Sequence, residues 1–216
     1  MIEQNKVYCM DCLELMKQMP DKSVDLIITD PPYNINVQSK NCAASRKDNR
    51  QDDKVMWDND FLIQDYLKEM IRISNNQIIF GANYHNCFSI KGGAIIWDKL
   101  QPLPDSSQCE IASTSTHRKV FKYTQRWTNF VNTKKTQHPT EKPVSLGLWI
   151  LSTFAKEGDI IFDPFAGSGS FIIAAKQKGF KWIACEINPE YCKIVEERLK
   201  QSNLFSVDSS VKERMK

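Results

Sequence analysis

A short sequence, Asp30–Pro31–Pro32–Tyr33, directly follows the apolar run VDLII and has residue types that could carry chemistry. Each proline restricts its own backbone and that of the residue before it, so the segment is stiff and extended. Neither proline has an N–H, and the segment presents carbonyl acceptors, the Asp30 carboxylate and the flat Tyr33 ring. These groups match a planar ring with an amino substituent, which would stack on Tyr33 and donate to Asp30 and to a carbonyl.

Such acceptors would make an aromatic amine more reactive. The lone pair of the exocyclic amine of adenine or cytosine is delocalised into the ring, which makes the nitrogen a poor nucleophile. Two acceptors favour a pyramidal nitrogen and stabilise the positive charge that builds as it attacks a methyl sulfonium. A base in a duplex must leave the stack to reach such a pocket. The structural alternative is a Pro-Pro turn that ends a strand, with Tyr33 in the core.

A glycine-rich turn, DPFAGSGS over 163–170, places Gly167 and Gly169 where a strand gives way to a helix. Glycines there let a backbone and a ligand approach closely. Glu186 ends the next strand, and an acid at this spacing is well placed to bind the two hydroxyls of a ribose. The third glycine of a dinucleotide motif is absent, because residue 172 is Ile. A nucleoside without a pyrophosphate, such as S-adenosylmethionine, suits the shorter turn, and a purely structural turn is the alternative.

The elements that position these groups follow from hydrophobic periodicity. Apolar strands alternate with amphipathic helices, which predicts a mostly parallel sheet covered by helices on both faces. In such sheets ligands bind beyond the carboxyl ends of the strands, at a reversal of strand order. Asp30, Asp163 and Glu186 all follow strand ends, so one edge of the sheet would gather them. The predicted strands cover 23–30, 76–84, 93–99, the start of 158–179 and 181–187, with a strand or hairpin near 110–124; the predicted helices cover 12–20, 61–74, 142–155, the end of 158–179 and 188–201.

The composition is that of one globular domain. The chain has 216 residues, 41% of them hydrophobic, and a net charge of +3. No apolar run approaches the ~18 residues of a membrane helix, and the N-terminus lacks the pattern of a secretory signal. Seven scattered cysteines are typical of free thiols in a reducing cytoplasm. Cys9 and Cys12 form a lone C-x-x-C beside a turn, so we expect no metal site.

Basic residues cluster in two stretches that could contact phosphates. The stretch 111–140 contains no acid, and aromatic residues lie among its basic ones. A long polar segment after Tyr33 reads as a loop and carries further positive charge. An ordinary solvated face is the alternative for these charges. The predicted nucleic-acid contacts are Lys40, Arg46, Lys47, Arg118, Lys119, Lys122, Arg126, Lys134 and Lys135.

Three motifs, in this order and context, resemble the amino-methyltransferases of nucleic acids that use S-adenosylmethionine, in the permuted arrangement called the β class. They are the D-P-P-Y at Asp30–Tyr33, HPTEKP at His138–Pro143 and FAGSG at Phe165–Gly169. The opening YCMDCLELMKQMPDKSVDLIITDPPYNI is also similar to that of the family. The likeness covers about 1–35, 55–100 and 137–201 and fades between 100 and 136. It implies a doubly wound Rossmann-like sheet of about seven strands with a small irregular DNA-recognition insertion.

The resemblance assigns roles to matching positions. Glu186 would bind the ribose hydroxyls, and Asp11 and Cys12 would lie against the adenine of the cofactor. Lys142 and the helix that it opens would favour the cofactor carboxylate. For His138 a local hydrogen bond is as good an interpretation as cofactor contact. The catalytic residues implied are Asp30, Pro31, Pro32 and Tyr33. The cofactor-binding residues implied are Asp11, Cys12, Asp30, His138, Thr140, Lys142, Pro143, Asp163, Phe165, Ala166, Gly167, Ser168, Gly169, Glu186 and Ile187.

The implied activity is methyl transfer from S-adenosylmethionine to the N6 amine of adenine in DNA, with S-adenosylhomocysteine as product. Aspartate at the first catalytic position is commonest in the N6-adenine members, whereas N4-cytosine members more often have serine. None of the nine prolines precedes a cysteine, which argues against methylation of cytosine carbon. The alternatives are N4-cytosine or RNA amino-methylation, a catalytically silent DNA-binding subunit, and a nicotinamide dehydrogenase.

The predicted organisation is a single methyltransferase domain over 1–201. It would include a mobile loop at 34–56 and a recognition insertion at about 100–136, followed by a polar tail at 202–216. The insertion is short for the family, so the site read in DNA would be short or a second subunit would help. A homodimer and a cytoplasmic location are expected, and no membrane contact; a restriction endonuclease is a candidate partner on which the sequence itself is silent.

Overall fold

An eight-stranded sheet forms the centre of the part of the chain that the computed structural model describes, residues 2–32, 63–89, 92–100, 107–125 and 141–202. The strands are β1 (Lys6–Cys9), β2 (Val24–Thr29), β3 (Ser74–Phe80), β4 (Gly93–Asp98), β5 (Cys109–Thr114), β6 (Val120–Thr124), β7 (Ile160–Asp163) and β8 (Lys181–Glu186). The helices in these ranges are α1 (Cys12–Lys17), α2 (Ile63–Ile73), α3 (Ala82–His85), α4 (Val144–Phe154), α5 (Ser170–Gln177) and α6 (Pro189–Ser202).

The strand order is β1-β8-β7-β2-β3-β5-β4-β6. Neighbouring strands run parallel except at β5, which is antiparallel to both β3 and β4. The predicted doubly wound, mostly parallel sheet is therefore confirmed, with eight strands in the described ranges where about seven were expected. The chain leaves β2 towards β3 on one side and returns later to β7 on the other side. This reversal marks the edge beyond β2 and β7 as the place for a ligand.

Helices cover both faces of the sheet, and each face has its own core. Alternate residues of β2 point to opposite faces, as the two-residue period of a strand requires. Leu26 and Ile28 join a core built with α4, α5 and α6. Ile27 joins a second core built with α1 and α2. Buried on both sides, the central strands read as continuous apolar runs in the sequence.

Two predicted elements differ in detail. The strand predicted over 76–84 ends at Phe80, because Gly81 adopts a φ of 70° and a single helical turn, α3, follows. Glycine enters this left-handed region without strain. The strand or hairpin predicted near 110–124 is two strands, β5 and β6, which pair on opposite sides of β4 and so form no hairpin.

Several predicted segments fall partly or wholly outside the described residues. The loop at 34–56 lies outside them, as does 203–216 of the predicted tail. Within the predicted insertion at 100–136, the described residues include β5 and β6, which belong to the central sheet. In the ranges that the structure describes, no helix is both long enough and apolar enough to cross a membrane.

Candidate active site

Four neighbouring strands each end in, or lead to, an acidic residue at the same edge of the sheet. Asp11 follows β1, Glu186 ends β8, Asp163 ends β7 and Asp30 follows β2. Because these four strands are parallel, their carboxyl ends meet at one edge. Asp163 feels the charges of both Asp30 and Glu186. The structure thus brings the predicted catalytic and cofactor-binding acids to one edge of the sheet, and the space beyond this edge is called the cleft below.

Glu186 holds the glycine-rich turn. Its Oε2 accepts a hydrogen bond of 2.8 Å from the backbone N–H of Gly167, and its Oε1 accepts one of 2.9 Å from Asn188. A carboxylate has about four lone-pair directions, so both oxygens keep capacity for further donors. This side chain therefore shapes the turn, and it keeps acceptor capacity that suits two neighbouring hydroxyls of a ligand.

The turn itself needs glycine. Gly167 and Gly169 have φ angles of 52° and 81°. The Ala166 N–H donates to the carbonyl of Cys185 at 2.9 Å, which ties the turn to β8. A guanidinium nitrogen of Arg198 donates to the carbonyl of Ser168 at 2.7 Å, which ties it to α6. The turn is therefore anchored on both sides, and its two left-handed positions are held by glycines, which adopt them without strain.

Gly169→Ala is expected to destabilise the fold more than Gly179→Ala. Both glycines have similar φ angles, 81° and 78°, so backbone strain is matched. A Cβ at 169 would lie 2.8 Å from Cγ1 of Val195, whereas a Cβ at 179 meets nothing within 4 Å. Strain alone costs about 1–3 kcal/mol, and the clash adds to it at 169 only. Urea unfolding of the two variants measures the difference; equal losses would contradict the clash.

A surface formed by Asp11, Tyr66, Phe165 and Ile187, here called the wall, adjoins the turn and is part polar and part apolar. Asp11 caps α1 by accepting the Leu13 N–H at 2.7 Å, and its other oxygen accepts the hydroxyl of Tyr66 at 3.2 Å. The rings of Tyr66 and Phe165 lie 5.6 Å apart. Ile187, directly after Glu186, is 60% exposed. Carboxylate acceptors for hydroxyls beside apolar surfaces for a base fit a nucleoside such as that of S-adenosylmethionine.

Cys12 lies on the core side of this wall. Its side chain is 5% exposed and belongs to the core under α1 and α2. Burial raises the pKa of its thiol, which keeps it neutral. Cys9, its C-x-x-C partner, is exposed. In the described ranges, no three His, Cys, Asp or Glu side chains are grouped as a metal site.

Asp163 is a buried acid between the two halves of the cleft. It is 1% exposed. Its Oδ1 accepts the Thr29 hydroxyl at 2.8 Å and the Phe165 N–H at 3.2 Å. Burial outweighs these donors and raises the pKa of Asp163 to about 7. The carboxyl is therefore partly protonated at neutral pH. Its hydrogen bond with Thr29 also joins the ends of β2 and β7.

Asp163→Asn is expected to change how stability depends on pH. The folded carboxyl keeps its proton up to about pH 7, whereas the unfolded one loses it near pH 4. This carboxyl therefore contributes stability that is lost as pH rises from 4 to 7, and the Asn variant lacks this loss. The unfolding free energy of the variant should gain on the wild type by up to about 4 kcal/mol over that range. Urea titrations at several pH values measure it, with Asp159→Asn as control; a constant difference would contradict the assignment.

The D-P-P segment is held at the mouth of the cleft. The Asp30 side chain is 19% exposed, and Pro31 is buried. The imidazole of His85 in α3 is hydrogen-bonded to the backbone of Pro31. Because proline has no N–H, this bond runs from the imidazole to the Pro31 carbonyl oxygen. Burial lowers the pKa of His85, so the ring is mainly neutral at pH 7 and fixes the direction of that carbonyl.

Lys142 enters the cleft from the segment before α4. Its ammonium forms a hydrogen-bonded ion pair with Oδ2 of Asp30 and lies 2.9 Å from Oε2 of Glu110. Pro143 follows as the N-cap of α4. The family resemblance would place Lys142 at the cofactor carboxylate, whereas the structure pairs it with two carboxylates of this chain.

The predicted nucleic-acid contacts are scattered. Arg118 and Lys119 are exposed just before β6, which runs parallel to β4, so they lie at the amino edge of the sheet, opposite Asp30. Lys122 pairs with Asp98 at 2.7 Å. The structure therefore places Arg118 and Lys119 away from the edge that carries Asp30, whereas Lys122 pairs with a carboxylate at the carboxyl end of β4. Predicted site residues outside the described ranges are Tyr33, Lys40, Arg46, Lys47, Arg126, Lys134, Lys135, His138 and Thr140.

Sequence reasoning missed four residues that shape the site: Tyr66, His85, Lys99 and Glu110. Tyr66 fits one face of the amphipathic helix predicted over 61–74. His85 directly follows the strand predicted over 76–84, so neither position stood out as part of a site. Glu110 lies in the stretch where no motif was found, and its local sequence carries no signal of its partners.

Comparisons with known proteins agree with this geometry. Residues 102–197 match the model of a family described as DNA methylase. The Type II methyltransferase M.HinfI of Haemophilus influenzae is 27% identical in an alignment that covers 88% of this chain and 67% of that protein. The Type II methyltransferase M2.DpnII of Streptococcus pneumoniae is 28% identical in an alignment that covers 89% of this chain and 88% of that protein.

Solved structures share the fold. The crystal structure of M1.HpyAVI in complex with SAM has a TM-score of 0.60 and 23% identity, over 90% of this chain and 99% of that one. The cytosine-N4-specific PvuII DNA methyltransferase has a TM-score of 0.56 and 15% identity, over 91% of this chain and 86% of that one. These likenesses confirm the Rossmann-like α/β fold.

Proposed function

Because its resemblance to the S-adenosylmethionine-dependent amino-methyltransferases of DNA is confirmed, we propose that this chain methylates the exocyclic N6 amine of adenine in DNA. The observation that carries the proposal is the shared edge of Asp30, at the D-P-P segment, and Glu186, at the glycine turn. An acceptor-lined pocket for an amine would thus adjoin a cradle for a nucleoside. Neither the D-P-P segment alone nor the glycine turn alone would point to methyl transfer onto an amine.

The cradle supports S-adenosylmethionine as the cofactor. Glu186 would accept hydrogen bonds from the ribose hydroxyls. The adenine would lie against Asp11, Phe165 and Ile187. The glycine turn would admit the methionine part, and we propose no metal. When bound, the cofactor supplies a methyl group on a sulfonium and leaves as S-adenosylhomocysteine. The roles of the chain's own residues concern the acceptor base.

Asp30 would accept one hydrogen of the adenine amine, and the Pro31 carbonyl, directed by His85, would accept the other. Both acceptors oppose the delocalisation that makes the amine unreactive, and they stabilise its developing positive charge. The Asp30 carboxylate is also placed to take the proton that the nitrogen must lose after methylation. Tyr33, next in the chain, would stack on the extruded base.

Adenine is preferred to cytosine on the first catalytic residue, because Asp30 is an aspartate and the N4-cytosine members more often have serine. The proposed substrate is double-stranded DNA with the target base flipped out. A homodimer, a restriction endonuclease partner and a cytoplasmic location belong to the same proposal. So do the single domain over 1–201, the recognition role of 100–136 and the basic contacts named above.

Incubation of the purified chain with methyl-labelled S-adenosylmethionine and unmethylated plasmid DNA tests the proposal. The DNA is digested to nucleosides, which are separated and identified. Label in N6-methyladenine is the expected result. Label only in N4-methylcytosine, or only in a parallel RNA sample, would overturn the substrate assignment, and no label in any nucleic acid would overturn the activity.

A further inference from the structure

Lys142 is a buried cation that is paired with carboxylates of this chain. It is 6% exposed. Its ammonium pairs with Asp30, lies 2.9 Å from Glu110, and lies 5.3 Å from the centre of the Phe80 ring. A buried ammonium is costly unless it is paired and hydrogen-bonded. Here burial, which lowers the pKa of Lys142, is outweighed by the two carboxylates, which raise it, so the residue stays charged.

Glu110 extends the network away from the cleft. Its second oxygen, Oε1, lies 2.7 Å from the ammonium of Lys99. Burial would raise the pKa of Glu110, but Lys142 and Lys99 lower it, so the carboxylate is ionised. The order is Asp30, Lys142, Glu110, Lys99, with charges that alternate and cancel. Glu110 and Lys99 therefore neutralise and hold the end of the network that is remote from the catalytic segment.

The residue before Lys142 is anchored in the opposite direction. The Glu141 carboxylate lies 2.6 Å from a guanidinium nitrogen of Arg198 and accepts the hydroxyl of Ser170 at 3.4 Å. Arg198 also donates to the Ser168 carbonyl in the glycine turn. Consecutive residues thus engage the cofactor turn on one side and Asp30 on the other. The backbone that carries Lys142 is fixed relative to both halves of the site.

We propose that Lys142 is the positioning residue of Asp30, supported from behind by Glu110, and not a ligand of the cofactor carboxylate. This inference rests on the proposed function. By holding Oδ2, Lys142 fixes the plane of the Asp30 carboxylate and so directs the acceptor that an amine hydrogen would meet. An acceptor acts well only if its own side chain is locked by a neighbouring shell.

Single-turnover methylation by Lys142→Met tests the role, because the rate constant is set by the molecules that react and is not lowered by an unfolded fraction. The expected loss is about 10²-fold. The calorimetric Kd for S-adenosylmethionine should change by less than about threefold. Lys181→Met makes the same change at an exposed site at the amino end of β8 and should leave both quantities unaltered. A large loss of cofactor affinity in Lys142→Met, with an unchanged saturated rate constant, would restore the cofactor-ligand assignment and overturn the proposal.

A double variant, Lys142→Met with Glu110→Gln, separates positioning from simple charge balance. It removes one charge of each sign, so Tm should recover towards the wild-type value. The rate constant should stay as low as in Lys142→Met, because Asp30 still lacks its partner. Recovery of the rate constant together with Tm would overturn the proposal. The wild-type protein is measured in the same assay. If the proposed function is wrong, neither the wild type nor any variant will transfer label, which distinguishes that failure from a failure of this proposal.

Discussion

Asp30→Ala is expected to abolish methyl transfer while it spares cofactor binding. The substitution removes the carboxylate that accepts an amine hydrogen and stabilises the developing charge on nitrogen. Loss of one preorganised group of this kind lowers turnover by about 10²–10³-fold. Glu186 and the glycine turn have no hydrogen bond to Asp30 among the described contacts, so the calorimetric Kd for S-adenosylmethionine should change little.

Asp25→Ala is the matched control for this substitution. Asp25 lies near the start of β2, at the opposite end from Asp30, and its Oδ2 accepts the Ile160 N–H at 2.9 Å. Its loss should lower stability by about 1 kcal/mol and leave the single-turnover rate constant unchanged. Turnover by Asp30→Ala at the wild-type rate would remove the assigned role of the carboxylate. Equal rate losses in both variants would point to strand distortion.

Glu186→Gln is expected to weaken cofactor binding by about 10²-fold. Both carboxylate oxygens already accept backbone N–H groups, at 2.8 Å from Gly167 and 2.9 Å from Asn188. An amide must direct its NH₂ at one of these donors, so the turn loses a bond and a ribose hydroxyl loses an acceptor. Isothermal calorimetry with S-adenosylmethionine measures the affinity.

Glu190→Gln provides the control, since it makes the same change at an exposed residue of α6 four positions later. It should leave the affinity unchanged. NAD, tested alongside, should not bind to the wild type because the glycine turn lacks the third glycine of a dinucleotide site. Wild-type affinity in Glu186→Gln would mean that another residue binds the ribose.

The edge that gathers the acids could be predicted from the sequence because the signals were local. Asp30, Asp163 and Glu186 each follow a short apolar strand, and parallel strands with helical connections bring such ends together. The glycine turn could also be predicted, because Gly167 and Gly169 stand where a strand meets a helix. The fold class followed from the same alternation of strands and helices.

The partners of Lys142 could not be predicted, because they depend on which strands are neighbours. Glu110 is the second residue of β5, the strand that reverses direction between β3 and β4, and nothing in its local sequence marks that insertion. The assignment of Lys142 to the cofactor carboxylate came instead from the family resemblance and from the helix that Lys142 precedes. The early end of β3 at Gly81 was missed because the apolar pattern continues through Ala82.

The position of β8 between β1 and β7 has a consequence for biosynthesis. In the described sheet β1 pairs with β8, so β1 has no partner until residues 181–186 have been made. A growing chain that already carries the D-P-P segment therefore still lacks Glu186, to which the proposed function assigns the ribose. Under the same proposal, proteolysis that removes β8 would yield a fragment that keeps the D-P-P segment and lacks the residue that binds the methyl donor.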